Sequence, residues 1–199
     1  MRRRNRLDYT SCRARDKRIF IMAGIQIGAK PDAGFDNPIG MLKDCHRRIE
    51  SFLRVLCIVA ERPKGRSLSE EETAAVTSAL NYFRSGGRRH TADEEQSLFP
   101  RIRAGEANDA LVQLERLEDD HHRADQLHEK VEKLFLVWID SGWLDEADAE
   151  ALLESTIELD RIYKAHITIE EEVVFPRASK SLDEDTVRAI GNEFRARRA

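Results

Sequence analysis

The segment HTADEEQSLFP at residues 90–100 recurs as HITIEEEVVFP at residues 166–176. Both copies follow the pattern His-x3-Glu-Glu-x2-(Leu/Val)-Phe-Pro. On a helix, the His-x3-Glu spacing places an imidazole and a carboxylate on one face about one turn apart, so both can reach a single ion. One copy would be weak support, because this spacing also arises as a surface pair. Two copies with the same ending predict a metal site built from two helices.

Apolar residues around the two copies recur at alternating steps of three and four, which is typical of one face of a helix. The first predicted helix begins at Pro38, capped by Asp36 or Asn37, and ends before Pro63. Its stripe includes His46 among aliphatic residues. This helix precedes the first copy of the repeat.

The second predicted helix opens with a capping box at Ser69 and Glu72 and runs to about Arg103. The pair Gly86-Gly87 is expected to kink or loosen it. This helix carries the first copy of the repeat.

The third predicted helix has the most regular stripe, from Leu114 to Trp138, and stops at Ser141-Gly142. The fourth begins at about Asp145 and carries the second copy.

A capping box at Ser181 and Glu184 predicts a short C-terminal helix over residues 183–194. No segment alternates with period two, so no sheet is expected. The sequence therefore predicts an all-α fold, an antiparallel up-down four-helix bundle over residues 38–178. A C-terminal helix and tail occupy residues 179–199, and an irregular, basic and disordered N-terminal extension occupies residues 1–37.

The composition suits one soluble helical domain, since 41% of the 199 residues are hydrophobic and 35% are charged. Residues 1–21 hold eight Arg or Lys against two Asp, within a chain of net charge −4. A basic arm could bind nucleic acid or anionic lipid. We favour the alternative that this segment is unstructured or lies before a true start at Met22. A weakly apolar stretch at residues 19–29 leaves a secretory signal as a third reading.

No run approaches the ~18–20 apolar residues of a membrane span, so no membrane partner is expected. The three cysteines are odd in number and show no zinc spacing, which favours reduced thiols in a cytoplasmic protein. No nucleic-acid-binding motif is present, and the oligomeric state is left open.

Each predicted stripe is apolar except where it carries histidine or carboxylate. A buried charge is costly unless it is paired or bound to a metal. The candidate metal ligands are His46, His90, Glu94, His121, His166 and Glu170. Imidazole and carboxylate together suit iron, manganese or zinc, and a carboxylate able to bridge favours a two-ion site.

Two neighbours of His121 are additional candidates. His122 is rotated by about 100° from the stripe, so His121 is preferred over it. Asp125 lies one turn after His121, where it would bind an ion or orient a ligand histidine.

Three other polar residues are given structural or surface roles. His128 shares the stripe of the third helix but sits roughly 10 Å along the axis, which favours a structural role. Glu95 and Glu171, the second glutamates of the two copies, are predicted to be solvated.

Over residues 38–178 these motifs resemble the hemerythrin-like HHE cation-binding family. The resemblance implies a non-haem di-iron centre in an up-down four-helix bundle, with two carboxylates bridging the ions. It also implies that manganese and zinc are less suitable than iron. Carried over to this chain, the four terminal ligands are His46, His90, His121 and His166, and the bridges are Glu94 and Glu170.

The chain departs from the oxygen-carrying hemerythrins, which typically place a His-x3-His pair on the third helix. This chain has His121-x3-Asp125, and Glu170 follows His166 by four residues, where those proteins have an aspartate five residues on. One ion therefore lacks a histidine, or takes Asp125, a tyrosine such as Tyr82 or Tyr163, or water. This difference argues against a pure oxygen carrier.

The first functional hypothesis is a protein that binds or senses O2 at a di-iron centre. The second is an enzyme that acts on peroxide, nitric oxide or O2 at the same site. The third is an iron-responsive module in which metal occupancy stabilises the bundle. Ferritin-like oxidation ranks low, because it needs Glu-x-x-His on two helices and only Glu118 to His121 lies on a stripe.

Overall fold

The computed structural model describes residues 32–62, 65–105 and 108–199, and this part of the chain contains helices and no strand. The helices are α1 (Pro38–Ala60), α2 (Glu70–Tyr82), α3 (Arg88–Asp93), α4 (Phe99–Gly105), α5 (Asn108–Ser141), α6 (Glu146–Ile169), α7 (Phe175–Ser181) and α8 (Glu184–Ala196). The expectations for the basic segment 1–21 and for a start at Met22 lie outside the described residues.

Three π-helical turns join some of these helices without a break. Phe83–Gly87 connects α2 to α3, Glu94–Leu98 connects α3 to α4, and Glu170–Val174 connects α6 to α7. The second and fourth predicted helices are therefore each continuous rods with π-helical turns. The kink predicted at Gly86-Gly87 is such a turn.

The helix starts follow capping chemistry. Asn37 caps α1 by accepting a hydrogen bond from the amide of Gly40 at 2.9 Å, and Pro38 takes the first helical position. The predicted capping box of Ser69 and Glu72 is present in both directions. These two boundaries were readable from the sequence because each depends on residues within one turn.

The cap of α8 differs from the prediction. Asp183, not Ser181, accepts from the amide of Thr186 at 2.8 Å. Ser181 is the last residue of α7, and its hydroxyl donates to the carbonyl of Arg177. The predicted Ser181–Glu184 capping box is wrong because α7 continues through Ser181.

The described helices form four rods: α1, the run from α2 to α4, α5, and the run from α6 to α7. These rods contact one another in a closed cycle. α1 packs on α2 and on α6, α5 packs on α6, and α2 also contacts α5. Two separate apolar clusters fill the interior. The larger contains Leu56, Leu80, Phe135 and Leu152, and the smaller contains Leu42, Phe99, Leu117, Phe175 and Phe194.

A polar layer separates the two clusters. On α1, His46 follows Leu42 of the smaller cluster and precedes Ile49 of the larger one. On α5, His121 lies in the same way between Leu117 and Ala124. The other two rods place their His-x3-Glu pairs at this level, so the packing of the bundle positions the site.

Helix α8 closes the smaller cluster with Ile190 and Phe194. A Cβ at Gly191 would lie 1.8 Å from the carbonyl oxygen of Phe35, so only glycine fits this approach. Beyond α8, Arg197 and Arg198 both pair with Asp93 at the end of α3. None of the described helices is long and apolar enough to cross a bilayer.

Candidate metal centre

The polar layer brings together the six principal candidate ligands. All six side chains are buried, and Glu94 and Glu170 are 0% exposed. Each histidine of the repeat lies in the last turn of an α-helix, and the glutamate four residues later starts a π-helical turn. The two copies of the repeat therefore have the same local structure.

The four histidines form two pairs. The ring centroids of His46 and His90 are 4.9 Å apart, and those of His121 and His166 are 4.6 Å apart. Each pair combines one histidine of the repeat with one from a helix that lacks the repeat.

Both glutamates of the polar layer lie between the two pairs. In Glu94, Oε1 is 3.3 Å from Nε2 of His90, while Oε2 is 3.4 Å from Nε2 of His121. In Glu170, Oε2 lies 3.0 Å from Nε2 of His46 and 3.4 Å from Nε2 of His166. Each carboxylate thus contacts one histidine from each of the two pairs.

These close contacts do not satisfy the site's hydrogen-bonding capacity. Within the described part of the chain, no hydrogen-bond partner exists for either carboxylate oxygen of Glu94 and Glu170, or for Nε2 of His46, His121 and His166. Buried polar atoms without partners are costly and rare, so a converging set of them calls for an explanation. Cations bound within this layer would satisfy these atoms.

The donor atoms form two overlapping groups in which all atoms lie within 4.8 Å of one another. One group is His46, His90, Glu94 and Glu170, and the other is Glu94, His121 and His166. Glu94 belongs to both. Imidazole nitrogen and carboxylate oxygen together suit iron, manganese or zinc, so the residues fit a bound cation.

Charges within the cluster shift its pKa values. Burial, together with the nearby charge of Glu170, raises the pKa of Glu94 to about 8. Burial alone would lower the pKa of His46, but the combined effect of Glu170, Glu94 and Glu171 outweighs burial and raises that pKa to about 9. Both shifts favour the protonated forms in the metal-free cluster, and a bound metal ion would displace those protons.

Glu95 and Glu171 were predicted to be solvated, and both are partly exposed, but each carboxylate also contacts a histidine of the centre. Oε1 of Glu171 lies 2.8 Å from Nδ1 of His46, and Oε1 of Glu95 lies 2.8 Å from Nδ1 of His121. In the neutral tautomer whose Nδ1 donates to these carboxylates, Nε2 of each ring carries no proton and is free to bind a cation. The second glutamate in both copies of the repeat was the available sequence signal.

The phenylalanines of the repeat contact the same two histidines. Phe175 stacks on His46 with centroids 5.5 Å apart, and Phe99 stacks on His121 at 6.3 Å. The amide of each phenylalanine donates to the carbonyl of the glutamate five residues earlier, which defines the π-helical turn. The proline that follows has no N–H, so it cannot extend this wide pattern.

The additional candidates lie elsewhere. His122 and Asp125 are exposed and belong to neither donor group. Sequence reasoning missed Asp120, a buried carboxylate whose Oδ2 lies 4.0 Å from Nδ1 of His166. Its place directly before His121 gave little signal, because it lies off the apolar stripe.

The two tyrosines named as alternative ligands have other contacts. The hydroxyl of Tyr82 donates to the carbonyl of Cys45 at 3.3 Å. The hydroxyl of Tyr163 lies 3.0 Å from Nε2 of His128, which also packs on Phe83. His128 therefore has the structural contacts predicted for it.

A helical fold with a buried layer of histidine and glutamate defines a metal-binding protein of the helical-bundle class. The sequence profile of the hemerythrin HHE cation binding domain matches residues 37–178, and the chain belongs to that family. The resemblance inferred from the repeat is confirmed.

An uncharacterized protein of Haemophilus influenzae is 28% identical over 173 residues, covering 83% of this chain and 92% of that protein. No solved structure matches the chain.

Proposed function

We propose that the centre holds two non-haem iron ions bridged by Glu94 and Glu170, and that it binds or senses O2. One ion would take His46 and His90, and the other His121 and His166. The observation that carries this proposal is the placement of Glu94, whose two oxygens face different histidine pairs at 3.3 and 3.4 Å. The donor set alone also suits manganese or zinc, and the family favours iron.

The fold proposed with this site is an antiparallel up-down four-helix bundle over residues 38–178. Support comes from the cyclic contacts of the rods and from the short connections at residues 61–69 and 142–145. The proposed location remains the cytoplasm, as the cysteine usage predicts.

Bound iron would supply a redox-active centre for a small diatomic or peroxide ligand. The residues of the chain hold the ions, neutralise their charge and shield them from water. Phe175 covers His46 and Phe99 covers His121 on one side of the layer. The larger apolar cluster closes the layer on the other side. This enclosure favours reaction with small uncharged molecules that cross packed apolar side chains.

A second candidate is an enzyme that acts on peroxide, nitric oxide or O2 at the same ions. It is favoured by the donor count, since two nitrogens and two shared carboxylates per ion leave positions free in a six-coordinate geometry. An iron-responsive module is a third candidate, because ion binding would satisfy the unpartnered atoms of the layer.

The test is anaerobic loading with Fe(II), metal analysis, and then exposure to O2, H2O2 and nitric oxide with absorption spectroscopy. Two ions per chain and a spectrum that reverses when O2 is removed support O2 binding. Rapid oxidation with turnover of peroxide or nitric oxide supports the enzyme. Fewer than two ions per chain would contradict the shared premise, as would full metal retention by the Glu94→Ala/Glu170→Ala double variant.

A further inference from the structure

We infer that Glu95 and Glu171 are positioning residues that act across the two ions: each copy of the repeat supplies a histidine to one ion and orients a histidine of the other. This inference rests on the proposed two-ion centre. It assigns a role to the second glutamate of each copy, which the donor groups do not include.

The two copies of the repeat make reciprocal contacts. In the first copy, His90 is paired with His46, while Glu95 contacts His121 of the opposite pair. In the second copy, His166 is paired with His121, while Glu171 contacts His46.

The two oriented histidines are those that most need an external partner. His46 and His121 come from α1 and α5, which contribute no carboxylate to either donor group. His90 and His166 instead sit one helical turn from Glu94 and Glu170 on their own rods. Nδ1 of His90 has no hydrogen-bond partner among the described residues.

Each oriented ring is fixed on its edge and on its face. The Nδ1 edge of His46 contacts Glu171 at 2.8 Å, and the Phe175 ring lies nearly parallel to it, at 10°. His121 has the same two contacts, with Glu95 at 2.8 Å and Phe99 at 5°. These contacts leave one ring orientation, with Nε2 facing Glu170 or Glu94.

The positioning carboxylates are themselves accessible. Glu95 and Glu171 are 31% and 37% exposed, so replacing them changes no packed core. Glu172, on the same π-helical turn as Glu171, is exposed and belongs to neither donor group, which makes it a matched control.

The experiment measures the two Fe(II) affinities under anaerobic conditions by competition with a chelator. We expect Glu171→Ala to lower the affinity of one ion by about 10–100-fold, Glu95→Ala to lower that of the other, and Glu172→Ala to lower neither. Mutant cycles identify the ion, since Glu171→Ala should add nothing in a His46→Ala background and Glu95→Ala should add nothing in a His121→Ala background. The crossed combination, Glu95→Ala with His46→Ala, should show both losses.

A second readout does not depend on the histidine variants folding. In Zn(II)-loaded protein, the Nδ1–H resonance of His46 should shift and exchange faster in Glu171→Gln, while that of His121 stays unchanged. The reverse is expected for Glu95→Gln. Unchanged resonances and affinities in both glutamate variants of a protein that binds two ions would overturn this inference alone. Wild-type protein that binds fewer than two ions would overturn the proposed function.

Discussion

The carboxylate of Asp93, which is 0% exposed, is paired with the guanidinium group of Arg198, with Oδ2 and Nη2 2.5 Å apart. Arg197 contacts the other carboxylate oxygen at 2.8 Å and also reaches the hydroxyl of Ser97. Asp93 directly precedes Glu94, and Ser97 lies in the π-helical turn that Glu94 starts. The end of the chain is thus attached to the turn that holds a candidate ligand.

Asp93→Ala should lower the free energy of unfolding of the metal-free protein by about 2–3 kcal/mol, because two guanidinium groups lose a buried partner. Urea denaturation measures the change. The control is Asp185→Ala, which removes an aspartate paired with Arg188 where both side chains are largely exposed. That change should stay within about 0.5 kcal/mol. Equal effects of the two substitutions would contradict a stabilising role for the pairing of Asp93 with Arg197 and Arg198.

Metal loading should stabilise the fold. At a free ion concentration of about 100 Kd, one bound ion adds roughly 2.7 kcal/mol to the free energy of unfolding. Thermal denaturation with and without Fe(II) under anaerobic conditions should therefore show a higher Tm for the loaded protein. In Glu94→Ala/Glu170→Ala the increase should disappear, and an increase of wild-type size in that variant would locate the ions elsewhere.

His128 should make stability depend on pH. Burial lowers its pKa from 6.5 to about 4 in the folded protein. Below pH 6.5 the unfolded chain binds a proton that the folded chain does not, so stability falls as pH drops from 6.5 towards 4. The loss should be on the order of 3 kcal/mol. Urea unfolding at several pH values should show that the free energy of unfolding declines less steeply with falling pH in His128→Gln than in the wild-type protein. If the two pH profiles are parallel, His128 is not the cause of the decline.

Gly86 and Gly87 should respond oppositely to alanine. A Cβ at Gly86 would lie 2.6 Å from the ring of Tyr82. That ring is stacked on Phe52, and its hydroxyl donates a hydrogen bond to the carbonyl of Cys45. A Cβ at Gly87 would meet only Phe83, at an ordinary 3.4 Å. Thermal denaturation should show destabilisation in Gly86→Ala and a gain of up to about 1 kcal/mol in Gly87→Ala. The same sign for both would contradict this account of the turn.

The sequence predicted those features that depend on residues close together in the chain. The apolar stripes placed the rods, and the repeat identified Glu94 and Glu170 as inward-facing carboxylates. Glu95 and Glu171 were missed because an exposed glutamate is ordinarily solvated, and their partners lie on other helices. Asp93 was missed for a related reason, since its burial depends on where the chain end beyond α8 docks. Neither relationship is encoded in local spacing.

The reciprocal contacts of the two repeats have a consequence for the order of assembly. A hairpin of the first two rods contains His46 but lacks Glu171, and a hairpin of the last two contains His121 but lacks Glu95. Neither half of the chain holds a complete, oriented set of donors. If Glu95 and Glu171 orient these histidines as proposed, tight metal uptake should follow the docking of both halves.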